Sequence, residues 1–261
     1  MPKAYRSRVK GKEKQMTKHE VVSEQEWMAA RIGLLAKEKE ATRHHDELAR
    51  MRHQLPWVRV SKDYTFTGSE GKKTLADLFD GRSQLLIYHF MFHPDWEEGC
   101  PSCSILGDHI GPSLPHLAAQ DVTLAAVSRA PIEKLMSFQK RMGWKFPWVS
   151  SYGSSFNYDF HVSFRSEDYE QKKVYYNYKM QEFPNVEAPG TSAFVKENDG
   201  SIYHTYSTYG RGGEPMMNIY EWLDLAPKGR QEDGPFPMSW VRHHDRYEYA
   251  QQAGCCGAGS H

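Results

Sequence analysis

The chain has 261 residues with 33 basic and 33 acidic side chains, so its formal net charge is zero. A protein that binds nucleic acid through electrostatics needs a basic excess, and a membrane-spanning helix needs roughly 20 consecutive apolar residues. Neither feature is present, so we expect no nucleic-acid or membrane partner. With 39% hydrophobic residues the chain can bury a core, and its length is enough for one large domain or for a domain with an appendage.

The cysteines form two pairs, Cys100 with Cys103 and Cys255 with Cys256. The second pair is adjacent in a Gly- and Ala-rich tail, and adjacent cysteines rarely bridge each other because the peptide between them is strained. Four cysteines in a chain of this length do not make a disulfide scaffold. The basic N-terminus also lacks the apolar stretch of a secretory signal. We therefore predict a cytoplasmic protein with one functional dithiol and give the tail pair no role.

The N-terminal part divides into a basic tail at residues 1–19, which we expect to be disordered, and a helical arm at residues 20–56. Ser23 followed by Glu26 fits a capping box at the start of a helix. Apolar side chains recur along the arm at three- to four-residue spacing, and Pro56 closes it. We expect this stripe to pack on the body or on a second copy of the chain, which would give a homodimer.

Residues 57–249 are predicted to form the main domain, whose centre alternates strands and helices. The apolar run 84–92 has the continuity of a strand buried on both faces. The other predicted elements are strands at 57–67, 122–127 and 146–149, a helical turn at 74–79, a helix from the dithiol to about 110 that Gly111 and Pro112 break, and a helix at 132–142. This βαβ order predicts a parallel core with helices on its faces.

The C-terminal part of the main domain adds an aromatic insertion, two strands and a helix. Asn198-Asp199-Gly200 between the two strands is a hairpin signature. The predicted segments are the insertion near 153–189, strands at 191–195 and 201–206, a helix at 216–225 and a flexible tail at 250–261. The predicted fold class is therefore α/β, with a mixed central sheet flanked by helices.

The motif Cys100-Pro101-Ser102-Cys103 follows a buried strand after a short loop and precedes a helix and a second strand. Two thiols three positions apart on the first turn of a helix can approach closely enough to form a disulfide. Amide groups and partial positive charge at the helix start stabilise a thiolate, so Cys100 is the predicted nucleophile and Cys103 the predicted resolving thiol. Pro101 suits the first helical position. This context is typical of a thioredoxin-like redox site.

Metal binding is the main rival interpretation of the same cysteines. His89 and His93 stand shortly before the motif, so together with Cys100 and Cys103 they make a candidate copper or zinc site. A structural zinc site usually has a second pair of closely spaced ligands, and a histidine in an apolar strand is more often part of the core. We therefore predict a redox dithiol without a cofactor or metal, and metal binding or delivery is the alternative.

Five further residues are candidates for the surroundings of the dithiol. Asp95, Glu97 or Glu98 could pass a proton to the resolving thiol, although a solvated loop is the simpler interpretation. Trp96 could cover the site and contact substrate. Arg129 follows a strand whose carboxyl end lies on the ligand-binding side in such folds. It could bind a substrate carboxylate, steady the thiolate or make a surface salt bridge.

Several longer motifs are more specific than Cys-x-x-Cys alone. They are Tyr88-His89-Phe90-Met91-Phe92, the run 96–104, Val127-Ser128-Arg129-Ala130-Pro131, Arg141-Met142-Gly143-Trp144, Phe156-Asn157-Tyr158-Asp159-Phe160, His204-Thr205-Tyr206-Ser207, Leu223-Asp224-Leu225-Ala226-Pro227 and Arg242-His243-His244-Asp245. On these motifs the chain, from about residue 21 to 249, resembles an uncharacterised bacterial family described as predicted dithiol–disulfide oxidoreductases of the thioredoxin-like superfamily.

The resemblance implies a thioredoxin-like fold with Cys100 and Cys103 as the redox pair. The substrate would be a disulfide-containing protein or a small thiol or peroxide, and the reducing partner is unidentified. Plain thioredoxins carry a cis-proline that faces the dithiol just before a strand, and Pro189 is the candidate here, with Gly190 between it and the strand. One alternative is a thiol peroxidase in which Cys100 passes through a sulfenic acid and Arg129 assists. Another is an interaction module that does not use its thiols.

Overall fold

The computed structural model describes residues 19–170 and 173–248. Apart from His19, the predicted tails at 1–19 and 250–261 lie outside the described residues, and the tail cysteines lie there with them. The chain divides into two compact units, Met1–Gln54 and Leu55–His261. No helix among the described residues has the length and apolar character needed to cross a membrane.

Helix α1, Glu24–His53, makes up the described part of the first unit, apart from a few flanking residues. The capping box predicted at its start is confirmed, because the Ser23 hydroxyl accepts from the Glu26 amide while the Glu26 carboxylate accepts from the Ser23 amide. None of its 30 residues is buried. The apolar stripe expected from the sequence is therefore exposed along the helix, and a homodimer through it stays a prediction.

The second unit is built on an eight-stranded mixed sheet and a separate two-stranded hairpin. The strands are β1 Val58–Arg59, β2 Thr65–Gly68, β3 Gly71–Thr74, β4 Gln84–His89, β5 Val122–Ser128, β6 Trp148–Ser150, β7 Val174–Tyr176, β8 Lys179–Gln181, β9 Gly190–Lys196 and β10 Ile202–Tyr209. The helices are α2 Pro101–Ala119, α3 Ile132–Arg141, α4 Phe156–Asp159, α5 Ser166–Glu170 and α6 Ile219–Leu225, and 3₁₀ turns cover Asp77–Phe79, Gly210–Met216 and His244–Arg246.

The sheet order is β1-β10-β9-β4-β5-β6-β2-β3. β4, β5 and β6 are parallel to one another, whereas β9 runs antiparallel to β4 and pairs with β10 in a hairpin. The chain order β4-α2-β5-α3, followed by β9-β10-α6, is that of a thioredoxin-like fold. The predicted mixed sheet is confirmed, and the insertion supplies α4, α5 and the β7–β8 hairpin between the two halves of this motif.

Alternate side chains of β4 point to opposite faces of the sheet, as the two-residue period of a strand requires. Leu85 and Ile87 belong to one buried cluster, whereas Tyr88 and Phe90 belong to another. His89 faces the first cluster, where its ring stacks on that of Phe160 at 5.7 Å. The dithiol lies with the second cluster, so the sheet separates His89 from it.

A chain of polar side chains crosses three strands beneath these aromatic rings. His89 Nε2 lies 2.8 Å from Ser192 Oγ, which lies 2.8 Å from Ser207 Oγ, which in turn lies 2.7 Å from His204 Nε2. These contacts link β4, β9 and β10 side to side. A buried polar network that is satisfied in only one arrangement favours a single strand register.

The helix after the dithiol is longer than expected. We predicted that Gly111 and Pro112 would break it, but α2 continues through both residues and through Pro115 to Ala119. The two prolines remove helical N–H donors, yet both are exposed, so water can satisfy the carbonyls that lose them. Ile105, Leu106 and Ile110 on the opposite side are buried and hold the helix against the sheet.

The buried His89 makes the stability of the fold depend on pH. Burial lowers its pKa to about 3, whereas an unfolded chain protonates histidine near pH ~6.5. The unfolded state therefore binds more protons below that pH, and the free energy of unfolding should fall by up to about 1.4 kcal/mol per pH unit between these values. We expect urea unfolding of a His89→Gln variant, between pH 6.5 and 4, to show a shallower fall than the wild type.

The matched control is His116→Gln, because His116 lies exposed near the end of α2 and is in water in both states. This variant should keep the wild-type slope. An equally steep fall in His89→Gln would contradict the assignment.

Candidate active site

The dithiol lies where β4 ends and α2 begins. Cys100 is the residue that precedes the first turn of α2, with φ −57° and ψ 127°, and Pro101 is the first residue of the helix. A proline there costs no hydrogen bond, because the first amides of a helix have no partner within it. The Cys100 carbonyl accepts from both the amide and the hydroxyl of Ser104, which fixes the first turn.

The two thiols differ in exposure and in ionisation. Cys100 is partly exposed, and hydrogen bonds from the Cys103 thiol and from the Cys103 and Ser102 amides lower its pKa to about 7 although burial opposes them. Cys103 is only 3% exposed, and burial raises its pKa well above the usual value, with the neighbouring Cys100 adding to the effect. At neutral pH Cys100 is therefore ionised in a large fraction of molecules, while Cys103 keeps its proton.

Two groups at the end of β4 face the buried thiol. The Tyr88 hydroxyl and the Met91 amide both act to lower the pKa of Cys103 and so favour its ionised form, against the larger effect of burial. Burial raises the pKa of Tyr88 well above 10, so its hydroxyl keeps its proton and can act as a donor. Sequence reasoning missed Tyr88, although the alternation of β4 places it on the opposite face from His89.

The turn before the dithiol needs a glycine. A Cβ at Gly99 would lie 2.7 Å from the ring of Phe90 and 2.9 Å from that of Phe138. Real Cβ atoms do not come so close to rigid ring atoms, so any larger residue would push the turn off the aromatic cluster. The Gly99 carbonyl is also bound, since it lies 2.9 Å from His243 Nε2.

His243 belongs to a polar cluster that connects the C-terminal segment to this turn. The Arg141 guanidinium makes two bonds to Asp245, at 2.8 and 2.9 Å, and one to Glu98 at 2.7 Å. Arg246 also binds Glu98. We call these five side chains the C-terminal clamp. It holds residues 98 and 99, the two positions before Cys100, from a segment more than 140 residues away.

The hydrogen bonds of the clamp determine the state of His243. Arg141 Nη2 lies 3.1 Å from His243 Nδ1 and can only donate. His243 therefore accepts at Nδ1, carries its proton on Nε2 and donates it to the Gly99 carbonyl. Burial lowers the pKa of His243, which is consistent with this neutral form.

The acidic residues just before the motif do not reach the thiols as a proton shuttle would. Glu98 is bound in the clamp, and Asp95 and Glu97 are exposed. Trp96 is half-buried and packs at the edge of the same apolar cluster as Cys100, and its backbone carbonyl accepts from Lys134. The solvated-loop interpretation therefore fits Asp95 and Glu97.

Pro189 lies at the dithiol but not in the expected conformation. It lines one cavity of about 320 Å³ together with Cys103 and Tyr88. The described residues include no cis peptide bond, so the expectation of a cis-proline here is wrong. The Pro189 carbonyl accepts from the Tyr176 hydroxyl at 2.6 Å, which ties it to the insertion.

Arg129 is engaged away from the thiols. Its Nη1 lies 2.9 Å from Glu187 Oε1, and its guanidinium stacks over the Tyr158 ring at 4.7 Å. Burial raises the pKa of Glu187 to about 7, with Ser163 and Arg129 acting against that rise. Arg129 lines a second cavity that includes neither cysteine. Its salt bridge is half-buried rather than superficial, and its expected role beside the thiolate has no supporting contact.

The alternative metal site is wrong for the described residues. His89 lies on the opposite face of the sheet and binds Ser192, and His93 accepts from the Asp95 amide. Across residues 19–170 and 173–248, no group of three or more His, Cys, Asp or Glu side chains could hold a metal ion. The two-residue period of β4 accounts for this result, because it turns His89 away from Cys100 and Cys103.

Comparison with known protein families shows where the chain belongs. The chain belongs to a family of bacterial proteins of unknown function, DUF899, which matches residues 16–247. No curated protein matches the chain.

Solved structures with a similar fold are distant. A cysteine-to-serine mutant of peroxiredoxin Q from Xanthomonas campestris is 18% identical, with 62% of this chain and 91% of that chain covered and a TM-score of 0.42. Peroxidoxin BcpB of Mycobacterium tuberculosis is 13% identical, with 65% and 97% covered and a TM-score of 0.42. A protein described as a putative thiol:disulfide interchange protein DsbE from Chlorobium tepidum is 14% identical, with 67% and 99% covered and a TM-score of 0.40. The fold assignment therefore rests on the strand order of the DUF899 protein itself.

From the contacts of the clamp we predict that His243 affects the ionisation of Cys100. In a His243→Ala variant the Gly99 carbonyl loses its donor, so the turn loosens and the amides of the first turn of α2 bind the Cys100 sulfur less well. We expect the pKa of Cys100 to rise by about half a unit to one unit, as the stabilisation of a thiolate by helix-start donors implies. The measurement is the pH dependence of iodoacetamide alkylation at Cys100, followed by mass spectrometry.

The matched control is His244→Ala, because the adjacent His244 binds the Asp108 carboxylate instead of the turn. It should leave the alkylation profile at its wild-type position. An unchanged profile in His243→Ala would show that the clamp does not act on the thiolate.

Proposed function

We propose that this DUF899 protein is a dithiol–disulfide oxidoreductase in which Cys100 is the nucleophile and Cys103 resolves the intermediate. The observation that carries the proposal is the unequal pair itself. The accessible Cys100, with a pKa of about 7, is hydrogen-bonded by a thiol that is buried and protonated. A thiolate that forms at neutral pH and stays nucleophilic is the attacking group that thiol–disulfide exchange needs.

The reaction consists of two exchanges. In the first, the Cys100 thiolate attacks one sulfur of a substrate disulfide, a mixed disulfide forms, and the other substrate sulfur leaves as a thiolate. In the second, Cys103 loses its proton to water and attacks the Cys100 sulfur, so the protein disulfide closes and the second substrate thiolate leaves. Two electrons pass from the dithiol to the substrate. An external dithiol reductant returns the pair to its reduced state.

The surroundings of Cys103 support its role in the second step. Once Cys100 is in a mixed disulfide it carries no negative charge, so its contribution to the raised pKa of Cys103 disappears. The Tyr88 hydroxyl and the Met91 amide remain as donors to the new thiolate. Formation of the mixed disulfide therefore removes the contribution of Cys100, while burial, the largest cause of the raised pKa, remains.

The cellular location and the class of substrate follow from the same chemistry. We place the protein in the cytoplasm, where a dithiol is kept reduced and ready to attack. The substrate disulfide belongs to a protein or to a small molecule. A peroxide substrate on the same two cysteines stays a prediction, and peroxide consumption that is lost in Cys100→Ser would favour it.

The proposal predicts a trapped intermediate. After treatment with glutathione disulfide, the wild-type protein should lose two hydrogens and gain an internal disulfide, because Cys103 resolves the intermediate. Cys103→Ser should instead keep glutathione covalently bound to Cys100. Intact-mass spectrometry and peptide mapping distinguish these products, and titration in a glutathione redox buffer gives the potential of the pair.

The Cys100→Ser variant is the control, and it should form neither product. The proposal would be contradicted if the two thiols of the wild-type protein formed no disulfide in an oxidising buffer. It would also be contradicted if Cys100→Ser reacted with glutathione disulfide as readily as the wild type.

The Tyr88 hydroxyl should matter for the second exchange only. Tyr88→Phe keeps the ring packed against Phe90 but removes a donor to the Cys103 thiolate. A hydrogen bond to a charged group is worth about 1.5–3 kcal/mol, so we expect resolution of the mixed disulfide to slow by about tenfold or more. Rapid-quench mass spectrometry would show the mixed disulfide accumulating before the internal disulfide forms.

The first exchange should keep its rate in Tyr88→Phe, because Cys100 binds other donors. The matched control is Tyr152→Phe, on an exposed ring in the loop after β6. If resolution is as fast in Tyr88→Phe as in this control, Tyr88 does not assist Cys103.

A further inference from the structure

The cavity beside the dithiol opens on the buried cysteine. Its volume is about 320 Å³, which is at the lower end of the range of about 300–1,000 Å³ that ligand sites span. Cys103, Tyr88 and Pro189 line it, whereas Cys100 is partly exposed at the start of α2 and is not among the lining residues. A group attached to Cys100 in a mixed disulfide lies one helical turn from this cavity.

Most of the cavity wall is apolar. Met91 and Leu106 come from the core side, and Met217, Pro237 and Met238 come from the segments that follow β10 and α6. Tyrosine rings contribute the flat surfaces. Methionine side chains adapt to ligands of irregular shape and make favourable contacts with aromatic rings, so this wall suits a compact organic group.

The charged residues of the wall already have hydrogen-bond partners within the protein. Arg230 binds Glu214 at 2.6 Å and binds Asp224 through both of its other nitrogens, and its guanidinium stacks on the Tyr220 ring at 4.3 Å. Glu232 accepts from the Tyr220 hydroxyl at 2.9 Å, and also from the Met238 amide and the Trp240 indole. Arg211 also lines the cavity and binds Glu214 at 2.9 Å. Each charged side chain of the wall is therefore already hydrogen-bonded within the protein, and a charged ligand would lose its hydration with little compensation.

The backbone next to the cavity is also engaged. The Tyr176 hydroxyl donates to the Pro189 carbonyl at 2.6 Å and accepts from the Gly210 amide at 2.8 Å. An extended peptide that binds at the start of a strand relies on free main-chain groups. The bridge from Tyr176 occupies such groups here, and this favours a small molecule over a peptide strand.

We propose that this cavity binds the organic part of a small, uncharged, apolar disulfide, which is the substrate of the dithiol. The inference rests on the proposed function and narrows its substrate class. While one half of such a disulfide is joined to Cys100, its aromatic or aliphatic group lies in the cavity against Met217 and Tyr88. Resolution by Cys103 then releases it as a neutral or weakly acidic thiol.

Two reagents that differ mainly in charge test this proposal. 2,2′-Dithiodipyridine is uncharged, and 6,6′-dithiodinicotinic acid is the same type of disulfide with a carboxylate on each ring. Each rate with the reduced full-length protein is divided by the rate of the same reagent with dithiothreitol, which removes differences in intrinsic reactivity. We expect the normalised rate to be at least tenfold higher for the uncharged reagent.

A bulky side chain in the cavity should remove this preference. Met217→Trp places a larger ring at the wall, so we expect the preference to fall to within twofold of unity. Binding of the neutral fluorophore N-phenyl-1-naphthylamine should weaken by about tenfold. The matched control is Met180→Trp, because Met180 lies on the β8 hairpin with 61% of its surface exposed. Circular dichroism and thermal unfolding show whether each variant is folded.

The outcomes separate this inference from the proposed function. If both reagents oxidise the protein through Cys100 at equal normalised rates, the substrate class is wrong and the redox function stands. The same conclusion follows if folded Met217→Trp keeps the preference. If neither reagent reacts in a way that depends on Cys100, the redox function fails and the inference fails with it.

Discussion

The backbone of Met91 is the contact on which the site depends, because it acts on both cysteines at once. Its carbonyl accepts from the Cys100 amide at 3.1 Å, and its amide is among the groups that lower the pKa of the buried Cys103. Met91 follows shortly after β4, so the central strand of the sheet sets the position of the first turn of α2. The position of Cys100 is therefore a property of the fold rather than of a loop, as precise catalytic geometry requires.

The long motifs of the family act mainly through buried polar contacts. His204 and Ser207 complete the chain of hydrogen bonds that reaches His89 across the sheet, and Phe160 stacks on that histidine. At the other end, His243 and its neighbours in the clamp hold the turn before the dithiol. Removing one partner of a buried polar pair leaves the other unsatisfied at a cost of about 1–3 kcal/mol. Such networks therefore accept few substitutions.

The local sequence pattern predicted several helices, strands and turns. Contacts between residues that are distant in sequence determine the features that it did not predict. The apolar run that became β4, the capping box at Ser23 and the Asn198-Asp199-Gly200 hairpin all depend on neighbours in sequence, and the structure contains each of them. The extension of α2 past Pro112 depends on burial of the opposite face, which no local rule detects. The hydrogen bond between His243 and Gly99 joins residues 144 positions apart. The sequence alone could therefore identify the motif that contains His243 but not the residue that this histidine contacts.

One physical condition connects the chemistry of Cys103 with the character of the cavity. Burial of its sulfur raises the pKa of the thiol, and the apolar wall of the space beside it is favourable for an uncharged organic group. Burial and the charge of Cys100 keep the second thiol protonated while Cys100 is a thiolate, and that effect of Cys100 is lost when the mixed disulfide forms. The order of the two exchanges and the preference for an apolar substrate therefore have the same physical origin.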